Sequence, residues 1–417
     1  MSSLVENGIV KLKKGEGRYL KSGGAWIYDN EIDSVSGEFE NGSIIRVEDF
    51  DGFFLGYGFI NYESKIRVRM LSRYRKDEID EEFLRERAKD AWEYRKAVID
   101  TSSCCRIVFG EADFLPGLTV DRYEDILVFE CLSLGMDRIK DIVLMGLIRA
   151  MEKDNVIING IFERSDAAVR KKEGMAKAKG WYWTRDNREM DTLVSIVENG
   201  VKYTVDVENG QKTGFFLDQK RNRMYMQELI RNMKAKGLPT KTLDCFTHMG
   251  TFALNMGLAG ADSVTGLDIS ALAVAEATAN AEANGLSDRV KFKEVDVFDE
   301  LPRLIDEGEK YDVVVLDPPA FTKSREATKK AITGYREINI RGLKLVREGG
   351  YLATCSCSHF MTQPLFEKMM REAARGAHKR IRQVSFSTQA PDHPILIDGS
   401  ENSYYLKFYV FQVVEEK

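Results

Sequence analysis

The chain has 417 residues, 43% of them hydrophobic and 30% charged, with a net charge of −5. That length exceeds what one hydrophobic core usually supports, so two or three domains are expected, and the ordinary composition argues against long disorder. No run approaches the roughly 18 apolar residues of a membrane-spanning helix, and the first residues lack a signal-peptide pattern, so a soluble cytoplasmic protein without a membrane partner is expected.

In chain order, Ser43–Glu48, Phe53–Phe59 and Ile66–Met70 read as short strands. Gly23-Gly24, Asn41-Gly42 and Asp51-Gly52 supply the turns, which suggests a small β-barrel. Over Glu78–Val98, the residues Phe83, Leu84, Ala88, Ala91, Trp92 and Arg95 recur at helical spacing, predicting a connecting helix with a charged outer face. Between Arg106 and Arg185, strands at Ile126–Cys131 and Val156–Glu163 flank a helix around Lys140–Met151, an α+β pattern. Leu193–Val207 alternates on either side of Glu198-Asn199-Gly200, a hairpin signal. Beyond it the rhythm becomes strand–helix–strand, with strands at Thr242–Asp244, Ser263–Asp268, Val290–Val295, Asp312–Leu316 and Tyr351–Ser356. Such alternation predicts an α/β fold with a mostly parallel sheet covered on both faces.

An acid closes each of the first four strands of that sheet: Asp244, Asp268, Asp296 and Asp317. In open parallel sheets, ligands bind beyond the carboxyl ends of the strands. The loop after the first strand, Asp244-Cys245-Phe246-Thr247-His248-Met249-Gly250-Thr251-Phe252, lacks the GxGxxG phosphate cradle. Gln211-Lys212-Thr213 only echoes a Walker A ending. Carboxylates suit S-adenosylmethionine, which carries a sulfonium and an amino group and no phosphate. Asp268, 24 residues past Asp244, is placed to take two ribose hydroxyls. The cofactor set is therefore Asp244, Phe246, Thr247, Gly250, Asp268, Ile269, Asp296, Val297 and Asp317. Ser270 reads as the cap of a helix over Ala271–Asn284, with Gly285 ending it.

Asp317-Pro318-Pro319-Ala320-Phe321 follows the fourth strand, and the two prolines stiffen the backbone behind the carboxylate. Comparable tetrads accompany methyl transfer to planar bases. The fifth strand ends Thr354-Cys355-Ser356-Cys357-Ser358-His359. A pyrimidine C5 is too weak a nucleophile to attack a sulfonium methyl unaided. Thiolate addition at C6 makes C5 enamine-like, and Cys357 with Asp317 can supply the thiol and the acid that such covalent catalysis needs. The remaining cysteines form no Cys-x-x-Cys pair, and the four histidines lack metal-ligand spacing, so no metal is expected.

The chain resembles bacterial large-subunit rRNA cytosine-C5 methyltransferases that carry an N-terminal PUA domain. The likeness rests on Leu12–Ile32 (LKKGEGRYLKSGGAWIYDNEI), Gly110–Asp121 (GEADFLPGLTVD), Lys212–Arg223 (KTGFFLDQKRNR), Asp317–Lys323 and Ser356-Cys357-Ser358. It implies three parts: a PUA-like β-barrel over 1–73, a small central α+β domain over 74–190 that includes the connecting helix, and a Rossmann-like SAM-dependent methyltransferase domain over 191–417 that opens with the hairpin. It also implies S-adenosyl-L-methionine as cofactor, a 23S-type rRNA as partner, and Cys357 rather than Cys355 as nucleophile, because the motif reads Ser-Cys-Ser. Asp317, Pro318, Pro319 and Phe321 would then meet the base. Two departures stand out: His248-Met249 where the family has paired glycines, and Ala320 where two-cysteine RNA enzymes carry a second cysteine.

Arg18, Tyr19, Lys21, Trp26 and Tyr28 interleave cations with aromatics as RNA contacts do, and Arg221 and Arg223 either face the substrate or pair with acids on the same helix. The candidate RNA contacts are Arg18, Lys21 and Arg221. The acidic total means that local patches, not overall charge, would hold RNA. Two other readings remain open: a methyltransferase acting on another base atom or a small molecule without a cysteine nucleophile, and a non-catalytic RNA-binding or assembly protein. Monomer and homodimer are both compatible with the residues.

Overall fold

The computed structural model describes residues 3–321, 328–397 and 403–414. The chain divides into two compact units, each built from three segments. The first comprises Met1–Ile196, Val205–Leu217 and Pro391–Ser403; the second comprises Val197–Thr204, Asp218–Ala390 and Tyr404–Lys417.

The first unit opens with a PUA-like domain of strands. Its six-stranded sheet runs, in spatial order, Trp26–Tyr28, Ile66–Ser72, Phe54–Ile60, Ile44–Glu48, Val5–Leu12 and Ile32–Glu38. Only Val5–Leu12 and Ile44–Glu48 pair in parallel. Val10, Leu12, Leu20, Ile27, Ile45, Val47, Ile60 and Val68 form its apolar centre. Arg18–Lys21 is a four-residue helix entered from Gly17 at φ +85°. That left-handed residue turns the backbone where an L-side chain would be strained.

The connecting helix spans Glu81–Val98 and starts three residues later than its spacing predicts. Asp80 is the reason: its side chain accepts from Phe83 N at 2.9 Å, an N-cap that fixes the first turn. Leu84, Ala88 and Trp92 share one core with Val143, Leu144 and Leu147 of the helix Leu134–Lys153. Both helices belong with a five-stranded sheet ordered Ala178–Thr184, Gly160–Ser165, Ile126–Cys131, Leu118–Tyr123 and Cys104–Phe109. The Gly110–Asp121 signature is structural here. Asp113 binds the guanidinium of Arg95, and Asp121 accepts from Arg106 Nε and Nη2, both at 2.7 Å. The hairpin forms from Leu193–Glu198 and Val201–Asp206, with Asn199 and Gly200 at φ +53° and +82°, the backbone its two-residue turn requires.

The second unit is a seven-stranded sheet with strands β1 (Lys241–Cys245), β2 (Ser263–Asp268), β3 (Val290–Glu294), β4 (Tyr311–Leu316), β5 (Val346–Ser356), β6 (Arg380–Ser387) and β7 (Lys407–Val414). Their spatial order is β3-β2-β1-β4-β5-β7-β6. The first five pair in parallel, and β7 runs antiparallel to both neighbours. This is the Rossmann-like, mostly parallel arrangement expected. β4 is buried along its whole length, as a central strand covered on both faces must be. The strand order reverses between β1 and β4, and in open α/β sheets such a switch point is where ligands bind beyond the strand ends. No helix among the described residues is long and apolar enough to cross a membrane.

Candidate active site

β1 carries Asp244 into the switch point as its penultimate residue, fully buried. Its Oδ2 accepts from Thr247 Oγ1 at 2.6 Å and from Ala253 N at 2.9 Å. Oδ1 is buried with no protein partner among the described residues. Burial pushes this carboxyl up to about 7 despite the two donors, and the nearby charges of Asp317 and Asp268 add to the effect. A buried carboxyl with one oxygen held and one unmet has the chemistry to accept a cation.

The loop from Phe246 to Gly250 folds tightly over that carboxylate. Phe246 and His248 lie at φ +63° and +51°, and Gly250 at +85°. His248 therefore adopts a glycine-like backbone where the family pattern has glycine; the loop keeps its left-handed turn and accepts the cost of a side chain there. Gly250 has no such latitude. A Cβ on it would lie 2.8 Å from the Phe292 ring and 3.2 Å from Ala277 Cβ. Gly250→Ala is expected to lower stability by about 1–3 kcal/mol, read from urea unfolding, and to weaken cofactor binding with it. An unchanged midpoint would show that the loop adapts.

Asp268 ends β2. Its Oδ2 accepts from His248 N at 2.9 Å and its Oδ1 from Ser270 N at 3.0 Å. Each carboxylate oxygen has a second lone pair, so two hydroxyls can be accepted without breaking either bond. Ser270 caps the following helix, Ala271–Ala283, through Ala273 N, and Gly285 follows at φ +65°. Ile269, 67% exposed, offers an apolar surface beside Asp268. Asp296 serves as a cap, accepting from Phe298 N at 2.8 Å, while the Val297 side chain is buried in the core. Phe246, Phe298, Phe321 and Tyr335 form a chain of ring contacts, 6.2, 6.0 and 4.5 Å between successive centroids, that ties the loops after β1, β3 and β4 together.

Asp317 follows β4, with Pro318 buried and Pro319 exposed beside it. Its Oδ1 accepts from Cys355 Sγ at 2.9 Å, and Gln219 Nε2 lies 3.3–3.4 Å from its two oxygens. Asn222 Nδ2 donates to Gln219 Oε1 at 2.6 Å and so fixes which end of that amide faces Asp317. Cys355 is fully buried; burial pushes its thiol well up, and Asp317's charge adds to this. Cys357, two residues on, is the one cysteine of the six that is not buried. Gln219 escaped the sequence reading although it lies inside Lys212–Arg223, because an amide that orients a carboxylate has no spacing signature of its own.

Other residues fall elsewhere. Arg221 is exposed at the start of the helix Lys220–Ala235. Arg223 is buried and bound to Glu198 of the hairpin, not to an acid on its own helix. Arg18 and Lys21 are exposed in the first unit, and Lys21 pairs with Asp49 at 3.0 Å. Thr213, of the Walker-like echo, is buried against the Tyr123 hydroxyl at 3.1 Å, a packing role. Thr322 and Lys323 lie outside the described residues. No metal-binding group of three or more His, Cys, Asp or Glu occurs among the described residues.

The residues present fit S-adenosylmethionine: a buried carboxylate with an unmet oxygen at Asp244, a diol acceptor at Asp268, and apolar surface from Ile269 and Phe246 beside them. The fold and this site define a SAM-dependent methyltransferase with a PUA-like domain, and family models agree: a PUA-like domain over residues 10–73 and an S-adenosylmethionine-dependent methyltransferase over 178–397. Proteins named ribosomal RNA large subunit methyltransferase I match nearly end to end. That of Shewanella denitrificans is 37% identical over 97% of this chain and 99% of its own; that of Aliivibrio fischeri strain MJ11 is 35% identical with the same coverage. The chain belongs to the ribosomal RNA large subunit methyltransferase I family. Among solved structures, a SAM-dependent methyltransferase from Streptococcus mutans superposes with a TM-score of 0.77 at 21% identity, covering 97% of this chain and 100% of that one, a likeness of fold. Another, a methyltransferase solved in complex with S-adenosylhomocysteine, gives 0.77 at 20% identity, covering 98% of this chain and 100% of that one.

Proposed function

We propose that the protein methylates C5 of a cytosine in large-subunit ribosomal RNA, with Cys357 as the covalent nucleophile, in the cytoplasm where ribosomes are assembled. The names of its full-length relatives support the RNA. The carrying observation for the chemistry is that Asp317 and a partly open Cys357 both lie just beyond the ends of adjacent parallel strands, β4 and β5, beside the buried acid of β1. The cofactor, when bound, supplies an electrophilic methyl group.

In this reading Asp244 and Asp268 hold the cofactor, with Phe246, Thr247, Gly250 and Ile269 shaping its walls. The Cys357 thiolate bonds to C6 of the cytosine, and the electron pair of the C5–C6 double bond shifts onto C5. That carbon takes the methyl, while the electrons of the breaking S–CH3 bond stay with the departing sulfide. Loss of the C5 proton to solvent water restores the double bond and expels the Cys357 thiolate. Asp317, steadied by Gln219, faces the base with Pro318, Pro319 and Phe321 around it. Cys355 is a poor alternative nucleophile, because its thiol is buried, raised and already bound to Asp317. Arg18, Lys21 and Arg221 would meet the RNA backbone, and the division into 1–73, 74–190 and 191–417 is part of the same reading.

The test is transfer of labelled methyl groups to protein-free large-subunit rRNA, with the modified base identified. C5-methylcytosine is expected from the wild type, and Cys357→Ala should lower the rate by at least about a thousandfold. Methylation on a nitrogen, or transfer that survives the substitution, would leave the cofactor site standing and remove the covalent step.

A further inference from the structure

β7 reads Lys-Phe-Tyr-Val-Phe-Gln-Val-Val, and Lys407 is its only charge. The residue is 1% exposed and lies opposite Ser356 in the antiparallel register with β5. Its Nζ donates to the Ser358 carbonyl at 2.6 Å and to the Tyr405 carbonyl at 2.7 Å, and sits 5.7 Å from the centroid of the Tyr404 ring. Those partners are all neutral. A buried ammonium ordinarily has a carboxylate, since the loss of hydration costs several kcal/mol otherwise. Here burial brings the ammonium down to about 8, and the Cys357 thiol opposes that shift.

We propose that Lys407 is the positioning residue of Cys357: it anchors the Ser356-Cys357-Ser358 turn through the Ser358 carbonyl and is the counter-charge against which the Cys357 thiolate forms. The proposal rests on the reading of Cys357 as nucleophile, and adds how that thiol is held and ionised. Three described groups near the thiol do not supply the charge. Cys355, on the same strand, is pushed well up by burial and bound to Asp317. Tyr335, from the helix Thr328–Leu345, is likewise raised by burial and accepts from Ser356 Oγ at 3.0 Å. Both therefore stay neutral through the working range. His359, on the following turn, directs Nδ1 to the Tyr404 carbonyl at 3.2 Å. An ammonium anchored to the carbonyl one residue on from a thiol favours the thiolate, the form that attacks.

The full chain without RNA suffices for the test, because the other five cysteines are buried and iodoacetamide will report Cys357. Alkylation of the Cys357 peptide is followed by mass spectrometry from pH 5 to 10. The wild-type midpoint is expected below the ordinary thiol value of about 8.5. Lys407→Met should move the profile up by at least about one pH unit, roughly tenfold slower at pH 7, and Lys407→Arg should restore most of the shift. A Lys407→Met profile superimposable on the wild type overturns the proposal. So does a wild-type midpoint at or above about 8.5, a result that needs no variant to fold. If the Met variant does not fold, Lys407→Gln, which can still donate to the Ser358 carbonyl, is read instead by the same criterion. The two readings separate cleanly: a shifted profile with methylation surviving Cys357→Ala keeps the ammonium–thiolate pair and removes the nucleophile, and an unshifted profile with methylation lost does the reverse.

Discussion

Asp244→Asn is expected to raise the dissociation constant for S-adenosylmethionine by about a hundredfold or more while leaving the protein without cofactor as stable as before, or more so. The asparagine is isosteric, and its oxygen can still accept from Thr247 Oγ1 and Ala253 N. What changes is the other side of the group, where the unmet Oδ1 becomes an amide that cannot draw in a cation. Losing one partner of a buried charged pair typically costs 2–5 kcal/mol, hence the size of the effect. The pH dependence has a definite sign. With the free carboxyl at about 7, cofactor bound through its ammonium group favours the ionised form and so releases a proton. Affinity should therefore fall as pH drops below about 7, by up to tenfold per pH unit, and Asp244→Asn should lose that dependence. Stability runs the opposite way. A carboxyl raised on folding binds its proton more tightly in the folded state, so its contribution weakens as pH rises from about 4 towards 7. Calorimetric titration from pH 5.5 to 8.5 and thermal melts of both forms check each part; an unchanged dissociation constant would remove Asp244 from the cofactor site.

Arg223→Met is expected to destabilise the second unit by about 3–5 kcal/mol. Arg223 Nε and Nη2 donate to the two oxygens of Glu198 at 2.6 and 2.9 Å, and both side chains are buried. Methionine fills similar space but strands the Glu198 carboxylate without a counter-charge in a dry site. The further change Glu198→Leu should recover most of the loss, because removing both charges avoids their desolvation. Urea unfolding of the single and double variants measures this. A loss below about 1 kcal/mol for the single variant would mean that water reaches the pair.

The outline of the second unit was legible because its apolar runs end in acids. β2 coincides with its expected limits, and Asp244, Asp268 and Asp317 come to the strand ends as the alternation implies. The Asn199-Gly200 turn was legible for a different reason, since few dipeptides tolerate two positive φ angles. β6 was not, because it is a largely exposed edge strand whose polar residues carry no buried face to mark a period. β7 is buried on both faces and reads as an apolar run that could equally be helix. Lys407 was nevertheless visible as a charge inside that run, a signal that only acquires meaning once the strand lies beside Cys357's. Within the site, the strand-end acids were readable from position, whereas Gln219 depends on pairing across 98 residues that no local pattern encodes.

The way the chain threads its two units has a consequence for synthesis. Arg95 Nη2 donates to the carbonyl of Asp392, 297 residues downstream, and the Asp392 carboxylate accepts from Arg106 N at 3.0 Å. Asp392 also holds His393, whose ring lies 5.4 Å from that of Phe109. A ribosome adding about 5–20 residues per second needs roughly 15–60 s to bridge that interval. Throughout it the first unit has most of its strands, and Arg95 already holds Asp113, but the carbonyl and carboxylate that Asp392 brings to Arg95 and Arg106 are still to come, so the part of the protein made first is among the last to be finished.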